Sequence, residues 1–168
     1  MIDLSANIVS TGTTPEGLTA TQLNTVKRIA YREMGEHFWR NNLPRRFTWA
    51  GARMLGYARR SNKYIAVKSK RKGHTLPLVW TGESRRLTET IRDVRSTATR
   101  NKTRTKIVLH ARGLNRVNTR SDSPIRPSEE VRRIADREVP PLVRFLDGRM
   151  SHGFENNIPS TNTKQKVF

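Results

Sequence analysis

The chain has 168 residues, with 33 Lys and Arg against 14 Asp and Glu, a formal net charge of +19, and no cysteine. Its length suits one domain with tails, and a hydrophobic share of 34% is low enough that part of the chain is expected to be arm or long loop. The lack of cysteine excludes disulfide staples, thiolate zinc sites and cysteine nucleophiles, while the charge points to an anionic partner: nucleic acid, an acidic protein face or an anionic membrane.

Residues 1–14 are polar and read as an N-terminal arm. Met1-Ile2-Asp3-Leu4 has neither the basic start nor the apolar stretch of a signal peptide. No apolar run approaches the roughly 18 residues of a membrane span, so the expectation is a soluble protein made in the cytoplasm, with no membrane partner. A single domain is expected over 15–150. It opens with a long helix capped by Thr19 or Thr21. Leu23, Val26, Ala30, Met34 and Phe38 follow at spacings of three and four, widened by Ile29, Tyr31 and His37. Pro44 stops the pattern.

A basic connector spans 45–72, with ten Lys and Arg and no acid. Trp49, Tyr57 and Tyr64 lie among the cations, and a second helix is predicted from about Asn62 to Lys70. An apolar segment, Leu76 to Trp80, leads through Thr81-Gly82 into a short helix over Arg85 to Thr90. The period then changes to two. Residues 91–99 and 103–111 are expected to pair as a hairpin, with Ile107, Leu109 and Ala111 on one face. Residues 113–127 read as a loop. A helix begins at Ser128-Glu129-Glu130, whose acids suit the start of a helix. Pro140-Pro141 interrupts it, and Leu142 to Met150 resume the pattern. Residues 151–168 read as a C-terminal tail. The predicted fold is α+β: a small antiparallel sheet, the hairpin, packed with a long N-terminal and a C-terminal helix.

No catalytic arrangement is recognisable. His37, His74, His110 and His152 are far apart with no metal spacing. There is no nucleophile elbow and no phosphate-cradling glycine loop. The reading is therefore no enzyme, no metal and no cofactor. Cations that repel one another without nearby acids call for an anionic partner. Arg59, Arg60, Lys63, Lys68, Lys70, Arg71 and Lys72 are the candidate contacts. No sequence-reading signature accompanies them, so any nucleic-acid contact would be to the backbone.

The run from Arg71 through Gly73, Leu76, Pro77, Trp80, Thr81-Gly82 and Arg85 to Leu87 resembles bacteriophage tail-completion and virion-morphogenesis proteins. In those families a basic segment leads to an apolar stretch, a Thr-Gly turn, a short helix and a hairpin. The resemblance matches residues at about 76–87 and the order of elements over about 19–150. It implies a structural virion protein of the neck or upper tail (a head–tail joining component) that forms a homo-oligomeric ring. Its partners would be portal, connector or tail proteins, with packaged DNA close by. Pro77, Trp80, Thr81 and Gly82 would set the turn, with Gly82 at positive φ. The alternatives are a free, non-sequence-specific nucleic-acid-binding protein and a metal-dependent nuclease, for which clustered carboxylates are lacking.

Overall fold

The computed structural model describes residues 2–6, 18–57, 59–90, 93–99, 102–108, 130–131 and 134–157. It has the α+β layout expected, an antiparallel sheet packed with long N- and C-terminal helices.

Helix α1 (Ala20–Asn41) begins at Thr19, whose hydroxyl accepts from the Gln22 N–H while the Gln22 side chain accepts from the Thr19 N–H. This reciprocal capping box satisfies two donors that would otherwise be orphaned. Its inner face is Val26, Ala30, Tyr31, Met34, Gly35 and Phe38, all buried. Ile29, which was expected to widen that face, is 49% exposed. It lies a single residue from Ala30, and at 100° per residue that is enough to turn it off the stripe.

The hairpin is strands β2 (Val94–Ala98) and β3 (Thr103–Ile107), antiparallel with Val94 opposite Ile107. Thr103, Thr105 and Ile107 turn inward. The Thr105 hydroxyl donates to the Tyr31 carbonyl at 2.9 Å and so accepts from Ser96 at 2.7 Å. Gly35 lets α1 approach this closely: a Cβ there would stand 2.6 Å from Thr105 Cγ2 and 2.7 Å from Val94 Cγ1. Leu109 and Ala111, the 113–127 loop and the helix start at Ser128-Glu129 lie outside the described residues.

Three sequence-based expectations are corrected. The N-terminal arm contains strand β1 (Ile2–Ala6), antiparallel to β3 with Ile2 opposite Ile107, so the sheet has three strands in the order β1-β3-β2. Pro140-Pro141 does not interrupt a helix but opens one, α5 (Val139–Asn157), after a 3₁₀ turn at Asp136–Glu138. Proline is tolerated in a first helical turn, where its missing N–H has no intrahelical partner. The expected tail from residue 151 is helical as far as Asn157.

Helix α5 runs antiparallel to α1. Gly153 meets Val26, Arg149 pairs with Glu33 at 3.2 Å, and His37 stacks on Phe145 with ring centroids 4.3 Å apart. Leu142 and Leu146 join Ala30, Tyr31, Met34, Phe38, Leu43 and Ile107 in one core. The sheet, α1 and α5 thus share one apolar interior, which is where most of the folding free energy of a domain this size arises.

Candidate anionic-partner surface

The basic connector folds into a 3₁₀ turn (Pro44–Phe47) and two short helices, α2 (Trp49–Met54) and α3 (Asn62–Lys72). Thr48 caps α2 by accepting from the Gly51 N–H, and Ser61 caps α3 by accepting from the Tyr64 N–H. Gly73, left-handed at φ 69°, ends α3. Gly82 has φ 82°, so the turn into α4 (Glu83–Thr90) uses the conformation expected of it. Leu78 is also at positive φ, 58°, a costly conformation for a residue with a side chain.

The ten cations of the connector divide into two groups. Arg46 is fully buried and grips Glu138 with two parallel bonds, Nη1 to Oε1 and Nη2 to Oε2, each 2.7 Å. Glu138 also accepts from Asn42 Nδ2 and from the Ala135 N–H, each at 2.9 Å. Burial pushes its carboxyl up, but the bonds from Arg46, Ala135 and Asn42 and the Arg46 charge outweigh it and hold the carboxyl below the usual glutamate range. Arg60 pairs with the buried Glu130. Lys68, 2% exposed, donates to the Leu76 carbonyl and sits over the Tyr64 ring. Burial, and then the Arg60 charge, lower its pKa.

The second group is open. Arg45, Arg53, Arg59, Lys63, Lys70, Arg71 and Lys72 are exposed. Of the expected contacts, then, Arg60 and Lys68 are already committed within the fold, and the other five face outward. Lys72 lies over the exposed Trp80 ring, 5.6 Å from its centroid. Thr81 is exposed, and Pro77 is half-buried.

Between α2 and α3 lies a groove of about 330 Å³, lined mainly by apolar surface. Trp49, Ala52, Tyr57, Tyr64, Ile65 and Leu78 contribute to its walls, and Arg53 and Arg59 stand at it as well. Trp49 and Tyr64 are 43% and 42% exposed, so these aromatics are not spent on the core. In the wall of the groove, burial raises the pKa of Tyr57, and its buried hydroxyl has no hydrogen-bond partner among the described residues. Arg53 was not among the expected site residues. The signal for it was a second face in the chain, since Trp49, Ala52, Arg53 and Gly56 recur at helical spacing.

Among the described residues, no three His, Asp or Glu side chains gather as a metal site, and no helix is long and apolar enough to cross a membrane. Comparison of the chain with protein-family profiles, with curated proteins and with solved structures finds no match.

Proposed function

We propose that this protein is a structural component of a tailed bacteriophage particle, a ring-forming neck or tail-completion subunit whose α3 and following turn lie outside the ring contacts and meet the portal, connector or tail proteins, or the packaged DNA, next to the ring. One observation carries this reading. Helix α3 buries a single side chain, Lys68, while exposing Val67 and, beside the exposed Trp80, Tyr64. A helix of eleven residues has little stability of its own in water, and exposed aromatic and branched side chains grouped on it mark a contact surface. The open cations Lys63, Lys70, Arg71 and Lys72 on the same helix select an anionic neighbour, protein or packaged DNA. The likeness of residues 76–87 to tail-completion proteins supplies the setting. Subunits joined head to tail through heterologous contacts close into rings. The function is binding and assembly, without catalysis or cofactor.

Neutralising the exposed set (K63A, K70A, R71A, K72A) tests the reading. Lys68 is left in place because it is buried. The expected result is a cyclic oligomer by sedimentation for the natural chain, kept in the variant, with weak duplex-DNA binding by the free subunit. A monomer that binds duplex DNA tightly, with a log–log salt slope of roughly −5 that the variant loses, would contradict it and identify a free nucleic-acid-binding protein.

A further inference from the structure

We infer that the groove between α2 and α3 takes an acidic peptide segment of a partner protein, anchored by one aromatic or branched aliphatic side chain. The inference rests on the reading of the protein as an assembly subunit and names the chemistry of its neighbour. The groove volume of about 330 Å³ lies at the lower end of the range of ligand pockets. Its floor and walls include Ala52, Ile65, Pro77 and Leu78, which offer no hydrogen bonds from their side chains and favour an apolar occupant. The flanking charge has one sign. No acid lines the groove among the described residues, and the acids nearest Tyr57, Glu130 and Glu138, are held by Arg60 and Arg46. Arg53 and Arg59 have no ion pair among the described residues and are exposed at the groove. Guanidinium groups in that position suit carboxylates on either side of an apolar anchor.

A nucleic acid fits less well. Stacking needs open aromatic faces, but Lys68 lies over Tyr64 and Lys72 over Trp80, and these two rings are tilted 32° to each other. A concave apolar slot lined by Tyr64 and Trp49 suits one side chain better than a run of bases.

The test uses the full chain and a labelled peptide, one phenylalanine with two aspartates on each side, capped at both ends. Fluorescence anisotropy at physiological ionic strength reads its binding. Replacing the peptide's phenylalanine by alanine is expected to weaken binding by about ten-fold or more. R53E/R59E in the protein is expected to do the same, with unchanged circular dichroism. Equal binding of the two peptides would overturn the proposal, as would no binding of either. Tighter binding of a short oligothymidylate, lost in R53E/R59E, would overturn it in favour of a nucleic-acid surface. All of these arms use the isolated chain, so they can fail or succeed whether or not the protein is a virion component.

Discussion

Arg46→Ala is expected to lower the unfolding free energy by about 3–5 kcal/mol, read from urea denaturation. Arg46 is one of the largest fully buried side chains among the described residues, and its charge is balanced by the two-bond pairing with Glu138. Removing it leaves a carboxylate buried without its cation, and desolvation of that charge then works against folding. The guanidinium also lies 5.2 Å from the centroid of the Phe38 ring, so the substitution takes packing from the core. Glu138→Ala should cost no less, because it also strands the Asn42 amide and the Ala135 N–H. Arg46→Lys should fall between the natural chain and Arg46→Ala, since an ammonium cannot span both carboxylate oxygens in the same plane. A loss below about 1 kcal/mol for Arg46→Ala would put the pair in the class of surface ion pairs and contradict this account.

The same pair sets an acid limit. The folded Glu138 carboxyl has a pKa below its unfolded value. Its contribution is therefore complete above the unfolded pKa and is lost as pH falls through the folded one. Stability of the natural chain should decline on the acid side of the ordinary glutamate range, and Glu138→Ala should flatten that decline.

Gly51→Ala is expected to destabilise the connector by about 3 kcal/mol, the upper part of the usual over-packing range. A Cβ at Gly51 would stand 1.8 Å from the Arg45 carbonyl oxygen and 2.6 Å from its carbon. That oxygen is backbone, and it is fixed by bonds from the Thr48 N–H at 3.1 Å and the Thr48 hydroxyl at 2.9 Å. Side-chain rotation cannot relieve the clash, so α2 must move away from the 3₁₀ turn and carry Trp49 and Ala52 with it. Loss of the groove should accompany the loss of stability, and Trp49 emission should shift. Gly148→Ala is the control. It lies within α5 with nothing inside 4 Å of the added methyl, and is expected to stabilise by about 0.5–1 kcal/mol. Equal effects at the two glycines would contradict the packing described for α2.

The legible parts of the fold were those set by near neighbours. The α1 stripe, the Thr19 cap and the turn at Gly82 each depend on residues within one or two helical turns. The hairpin follows from two short runs joined by a few polar residues. Strand β1 was missed because what makes it a strand lies a hundred residues on: Ile2 pairs with Ile107, while its own five residues mix polar and apolar types. Pro140-Pro141 misled because proline reads alike as a stop and as a first turn until the preceding 3₁₀ turn is seen.

The surface was half legible for a related reason. A cation is exposed by default, and neither Arg46 nor Lys68 carries a local sign of burial. Their partners settle the matter, and Glu138 is 92 residues from Arg46. Lys70, Arg71 and Lys72 close α3 beside Gly73, where basic residues suit a helix end. That local role does not oppose their outward one.

The most direct measurement is quantitative mass spectrometry of nuclease-treated, gradient-purified particles from the source culture. The account predicts several copies of this protein per particle, in fixed ratio to portal or tail proteins. Abundance in the cell extract with absence from the particles would contradict it.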